Sequence, residues 1–282
     1  MEVRSVHVYV AGDAPHPGAG AVAELRAGRL HVARATRDFF QLMPSGNALL
    51  EEATSVRRSS LSPLLTPTLL TLGDVLHEAH ESIRYVYFPV DCLVSLLLPQ
   101  NHHRPLEVAM VGNEGMVGVP LALGMRTSLV QAVVQASGSA WRMNARAFHE
   151  QLSQRSPLRR HIDGYIHALI GQLTQSTACN AFHPVEARCA RWLLMARDRL
   201  RVDEFELTQE ALAQKLGVRR VGITVAAGNL QRNGCIAYSR GRIRILDPQR
   251  LAAAACECYR VADRNDCRYG LTERPRRTAE DH

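Results

Sequence analysis

Residues 207–230, LTQEALAQKLGVRRVGITVAAGNL, limit the fold of this chain more tightly than any other stretch. Their periodicity predicts two short helices joined at Gly217. Thr208 is placed to cap the first helix by accepting from an orphan backbone N–H, and Glu210 suits that helix's positive end. Leu212 and Leu216 share one face at i, i+4. Gly217 permits the left-handed conformation in which a chain turns sharply after a helix. In the second helix Ile223, Ala227 and Leu230 share an inward face. Arg220, Val221, Thr224 and Val225 then face outward, as in a helix-turn-helix that presents a recognition helix to a DNA major groove.

The next residues extend this reading. Residues 235–246, CIAYSRGRIRIL, alternate apolar and polar around an Arg240-Gly241 turn and predict a β-hairpin, or wing. Ile243 and Ile245 would face the core, leaving Arg240, Arg242 and Arg244 for solvent or phosphate. Between positions 208 and 250 the basic residues are Lys215, Arg219, Arg220, Arg232, Arg240, Arg242, Arg244 and Arg250, against Glu210 and Asp247. Eight minus two gives +6 of the chain's formal +7, the electrostatic footprint expected for a phosphate backbone. The expected DNA contacts are Thr208, Gln209, Arg219, Arg220, Val221, Thr224, Val225, Arg240 and Arg242. A winged helix that docks protein instead is the competing reading, and the arginines clustered at helix start and wing favour DNA.

The rest of the chain sets the context. At 282 residues and 46% hydrophobic it can build one large or two ordinary cores. No apolar run approaches the ~20 residues of a membrane-spanning helix, and no charged-then-apolar signal opens the sequence. Seven scattered cysteines without paired spacing suit reduced thiols in a cytosol. Residues 1–44 are rich in Ala, Gly and Pro and are expected to be a flexible extension, or to precede a true start at Met43. Residues 45–155 open with an amphipathic helix that turns Leu49, Leu50 and Val56 inward. Short β-like runs follow at 68–72, 75–77, 85–88, 93–98, 106–111, 131–135 and 139–143, which predict an antiparallel β-roll. Over 156–181 Leu158, Ile162, Tyr165, Leu169, Leu173 and Ser176 recur at steps of four and three, with Ile166 and Ile170 widening the seam. This predicts a long dimerisation helix, which a two-fold reader of a palindrome needs, against the competing reading of a helix packed only on its own domain. The DNA-binding domain would run over 182–260 and begin with a helix that has Pro184 at its first turn, leaving 261–282 as a tail.

This order of an α+β chain (β-roll, long helix, winged helix-turn-helix) resembles the Crp–Fnr superfamily of bacterial transcription regulators. The resemblance spans roughly residues 47–259. It is carried by EARCARWLLMARD (186–198), LTQE (207–210), LGVRR (216–220), ACECY (255–259), YVYFP (85–89) and VGNEGMVGVP (111–120). It implies a homodimer on pseudo-palindromic double-stranded DNA, RNA polymerase as a further partner, and a small-molecule effector sensed in the roll. By position, Arg220, Val221 and Val225 resemble the residues that read base edges, an arginine for guanine and valines for thymine methyls.

The departures bear on the effector. Members that bind cyclic nucleotides use a helix N-terminus, a glutamate for the ribose hydroxyl and an Arg-Ser/Thr pair for the phosphate. Glu114 and Gly115 keep part of this pattern. Aligned from the following strand, however, the Arg-Ser position falls on Ser128-Leu129; Arg126-Thr127 comes two residues early, and a slip of two in the loop could rescue it. Burying a phosphate charge without its arginine is costly, so the sequence argues against a cyclic nucleotide. Glu114, Gly115, Arg126, Thr127 and Ser128 are the candidate effector-pocket residues. The chain has no cysteine before Cys92 for an N-terminal iron–sulfur cluster. Cys256, Cys258 and Cys267 form a C-x-C…C group that could bind zinc or oxidise; without a fourth ligand they read rather as small apolar side chains ending a helix, so no metal is expected. His77-Glu-Ala-His80 is one residue short of a metalloprotease motif and falls on a strand and turn. No phosphate loop or nucleophile elbow is present, and no enzyme is expected.

Overall fold

The computed structural model describes residues 46–54, 61–100, 103–153 and 157–260. The expectations for 1–44, Val56, Cys267 and the C-terminal tail lie outside the described residues. Helix α1 (Ala48–Thr54) is followed by β1 (Thr66–Leu70), β2 (Val75–His77), β3 (Tyr85–Pro89), β4 (Leu93–Gln100) and β5 (His103–Val111). Next come the short α2 (Val119–Ala122), β6 (Gln131–Ala136), β7 (Gly138–Asn144) and α3 (Ala145–Ser153). These strands pair antiparallel into two sheets, β1-β7-β3 and β2-β6-β4-β5. The expected strands are all present, and β4 and β5 run a few residues longer into the hairpin. Their inner faces bury Val86, Phe88, Val94, Val111, Val134 and Met143. Asn47 fixes α1 on this roll: its side-chain amide donates to the carbonyls of Pro89 (2.8 Å) and Gly115 (2.9 Å), while its oxygen accepts from the N–H of Leu50 (3.2 Å). That places Leu49 and Leu50, both fully buried, in the roll core.

Helix α4 (Pro157–Phe182) corrects one expectation. The apolar steps of four and three are real, but the first half of that stripe packs on its own roll, where Leu158, Ile162 and Tyr165 join the core. The Tyr165 hydroxyl donates to the Met116 carbonyl at 3.1 Å, and its ring lies against Gly115. A β-carbon at Gly115 would sit 2.1 Å from that ring, so only glycine permits the approach. The part of the expected seam that this packing leaves less covered is its margin and second half. It carries Ile170, which is exposed, with Ile166 and Leu173 half-buried beside it. Periodicity marks that a stripe is buried but cannot say which surface buries it.

The C-terminal half packs around α5 (Val185–Leu200), whose Cys189, Leu193, Leu194 and Ala196 are buried. Around it lie β8 (Glu204–Glu206), α6 (Gln209–Leu216), α7 (Arg220–Arg232), β9 (Ile236–Ser239), β10 (Arg242–Ile245) and α8 (Pro248–Ala254). Strand β8 is an addition to the expected hairpin and makes a three-stranded sheet in the order β8-β10-β9. Three residues are too few to show a period in sequence.

Candidate nucleic-acid interface

Helices α6 and α7 form the expected helix-turn-helix. The Thr208 hydroxyl caps α6 by accepting from the Ala211 N–H at 3.1 Å. Gly217 ends α6 with a φ of 62°, and the Val218 N–H then reaches back to the Ala213 carbonyl at 3.0 Å. Ile223, Ala226, Ala227 and Leu230 bury one side of α7. Its other side carries Arg220, Val221, Thr224 and Val225, all exposed, with Val221 at 65% and Val225 at 59%. The Thr224 hydroxyl donates to Gln209 Oε1 at 2.7 Å, which ties the first turn of α6 to the outer face of α7. Arg219, the residue before α7, is also exposed.

In the wing, Arg240 (φ 49°) and Gly241 (φ 78°) make the tight turn between β9 and β10. Two positive φ values suit the right-handed twist of a hairpin. Ile243 and Ile245 point inward, and Arg242 and Arg244 point outward. Thr208, Arg240 and Arg242 line one groove of about 790 Å³ between the wing, the start of α6 and the roll, whose Leu72 and Gln135 also line it.

The electrostatic footprint is smaller than the charge count implied. Arg244 donates to Glu204 at 2.6 Å, and Arg242 lies 3.4 Å from Glu204 and 3.6 Å from Glu206. The antiparallel register sets these acids opposite the arginines, Glu206 against Arg242 and Glu204 against Arg244. The hydrogen bond from Arg244 holds the Glu204 carboxyl below its usual pKa, with the charges of Arg244 and Arg242 adding to it. Such exposed pairs are weak and exchange readily for phosphate. Lys215 is a firmer correction. It is buried and its ammonium lies 3.1 Å from Glu107 of β5 and 3.2 Å from the Ser95 hydroxyl, so it is not presented to DNA. No carboxylate among the described residues pairs with Arg219, Arg220 or Arg240.

The same contacts join the two halves of the chain. Glu107 also accepts from the Trp192 indole at 2.6 Å, and Arg104 pairs with Glu210. A second buried pair links Arg199 of α5 to Glu114 at 2.8 Å, with side chains 9% and 5% exposed. Glu114, a candidate effector residue, thus meets the C-terminal half. Gly115 is covered by Tyr165. Arg126 lines a separate cleft of about 570 Å³ with Arg84, Arg146 and His149, which Glu114 does not line. Thr127 bridges to Ser82, and the Ser128 carbonyl accepts from the His80 N–H at 2.6 Å. The five candidates therefore do not share one cavity. His80 has a φ of 66°, a conformation that favours glycine.

Cys256 and Cys258 are buried just after α8, as small apolar side chains would be. The structure brings both against Cys179 and His183 at the end of α4, a grouping of metal-ligand type. The i, i+4 spacing of Cys179 and His183 was visible in sequence, but the fold that carries the C-terminal segment back to it was not.

Residues 187–254 match the Crp-like helix-turn-helix domain family. No curated protein matches the chain. Several solved structures share its fold. A Crp/Fnr-family transcriptional regulator from Eubacterium rectale superposes with a TM-score of 0.58 at 17% identity, covering 75% of this chain and 99% of its own. FixK2 from Bradyrhizobium japonicum gives 0.59 at 15% identity, covering 68% and 98%. A CRP-family regulator from Thermus thermophilus gives 0.54 at 20% identity, covering 68% and 99%. The chain thus carries a Crp-like helix-turn-helix domain within the α+β fold of Crp/Fnr transcription regulators.

Proposed function

We propose that the protein is a homodimeric, sequence-specific transcription regulator that reads double-stranded DNA with α7. The exposure of Val221 and Val225 beside Arg219 and Arg220 carries this reading. Burying a valine is worth about 1.5–3 kcal/mol, so two on one outward face point to a partner that covers them. Methyl groups and anions on one surface are what a major groove offers: thymine methyls for the valines, guanine O6 and N7 for Arg220, and phosphates for Arg219 and Arg240. The free apolar face of α4 supports a two-fold pair, which sets half-sites about 34 Å apart. RNA polymerase is the further partner of such a regulator. Because Glu114 is engaged by Arg199, the signal is a small molecule other than a cyclic nucleotide, or none.

Selection of bound duplexes from a random pool, followed by footprinting, tests the reading. A pseudo-palindrome is expected, and Arg220→Ala should lose about 1–3 kcal/mol of discrimination at one base position. A single asymmetric half-site, or equal affinity for all sequences with and without Arg220, refutes it and favours a winged helix that docks protein.

A further inference from the structure

One cluster has no part in reading DNA. Cys179 lies in the last turn of α4, and His183 follows that helix directly, at i, i+4. Cys256 and Cys258 come from the segment after α8, more than 70 residues away in sequence. The three cysteines are buried at 2%, 7% and 0% exposure. The three Sγ atoms and one ring nitrogen of His183 all lie within 4.8 Å of one another. Cys179 Sγ is 3.5 Å from Cys256 Sγ, and Cys258 Sγ is 3.4 Å from His183 Nδ1. A tetrahedron with zinc–sulfur bonds of about 2.3 Å and a zinc–nitrogen bond of about 2.0 Å has edges of about 3.5–3.8 Å. The donors therefore already stand near its vertices.

The surroundings are those of a ligand set. His183 Nε2 lies 3.1 Å from the Glu257 carboxylate, which places the ring proton on Nε2 and turns the Nδ1 lone pair toward the sulfurs. The Gln175 amide donates to Cys258 Sγ at 2.9 Å. Arg188 and Arg191 of α5 are buried, and their charges act on the cysteine sulfurs. The Nε atoms of both lack a hydrogen-bond partner. Three thiolates, one neutral imidazole and a divalent ion sum to −1, which these cations offset.

We propose that Cys179, Cys256 and Cys258, through Sγ, and His183, through Nδ1, hold a structural zinc ion. Four protein ligands close the coordination sphere, and the three thiol protons leave to solvent on binding. The ion fastens the segment after α8 to the point where α4 gives way to α5, the joint between the roll-bound helix and the DNA-binding half. A Cys179–Cys256 disulfide would use two of the four donors and leave the His183–Glu257 pair and Cys258 without a role.

The test is metal analysis of the full chain purified under reducing conditions, with cobalt(II) then exchanged into the site. About one zinc per chain is expected, and cobalt should show thiolate charge-transfer bands and the strong visible bands of four-coordinate tetrahedral geometry. Cys256→Ser and Cys258→Ser should lose the metal, whereas His183→Cys and the control Cys92→Ser should retain it. Folded wild-type protein with far less than one metal per chain overturns the proposal. So does cobalt that stays six-coordinate and pale, or a Cys179–Cys256 disulfide found by peptide mass spectrometry in protein made without oxidant. The wild-type metal content and cobalt spectrum decide the matter even if a serine variant fails to fold.

Discussion

Lys215 separates the charge count from the structure. Counted along the sequence, it is one more cation of the DNA-binding segment, and its loss should weaken phosphate contact. In the structure its side chain is 5% exposed and paired with Glu107, itself 6% exposed. Lys215→Met keeps the length and apolar stem and removes the charge. Breaking a buried pair by deleting one partner costs about 3–5 kcal/mol, because the other charge is left uncompensated. Glu107 keeps the Trp192 indole and the Ser95 hydroxyl as partners, so the lower end, about 3 kcal/mol, is expected. Replacing both residues by apolar ones should cost far less than the sum of the single losses. Urea unfolding followed by tryptophan fluorescence measures this, since Trp192 lies against both Glu107 and the Lys215 ammonium (5.5 Å from its ring). In the same variant the salt dependence of DNA binding should keep its wild-type slope, whereas Arg219→Ala should reduce it by about one phosphate contact. A Lys215→Met protein of wild-type stability with a shallower salt slope would refute the burial argument and restore the sequence-level count.

Other substitutions probe the fold and the wing. Gly115→Ala drives a methyl into the Tyr165 ring and should destabilise by about 1–3 kcal/mol or more, read as a lower thermal midpoint. Gly228→Ala should do the opposite: a β-carbon there meets only the end of Arg232 at 3.7 Å, and the helix gains about 1 kcal/mol. In the wing, carbon-detected NMR titration should find Glu204 below the ordinary glutamate pKa, and Arg244→Ala should raise it. Because the folded pKa is the lowered one, the pair's contribution is present above the unfolded value and lost as pH falls through the folded one.

What could be read from sequence was what repeats at short range. The outward placement of Val221 and Val225 follows from a period of 3.6, and the inward placement of Ile243 and Ile245 from a period of two, so both could be located in advance. The buried pairs Lys215–Glu107 and Arg199–Glu114 could not, because a charged side chain has the same appearance in sequence whether water or a partner 85 or 108 residues away solvates it. The surface that covers α4 was missed for a related reason: its stripe at Leu158, Ile162 and Tyr165 was correct, and the Met116 carbonyl that Tyr165 meets lies 49 residues upstream. The cysteines and His183 show the same limit: each pair has a visible spacing, i, i+4 and C-x-C, but nothing in sequence joins two segments more than 70 residues apart.

These long-range pairs also constrain how any signal reaches α7. Glu114 is buried beneath Arg199 of α5, and Lys215 of α6 is buried on β5, so the roll and the C-terminal half share two desolvated ion pairs. A ligand that took Glu114 for itself would leave the Arg199 guanidinium buried without its partner, at a cost of several kcal/mol. That cost falls only on the arrangement in which α5 rests on the roll. An arrangement with Arg199 turned to solvent escapes it. Ligand and arrangement are therefore linked: whatever binds at Glu114 favours separation of the two halves, and whatever fixes them together weakens binding at Glu114 by the same factor.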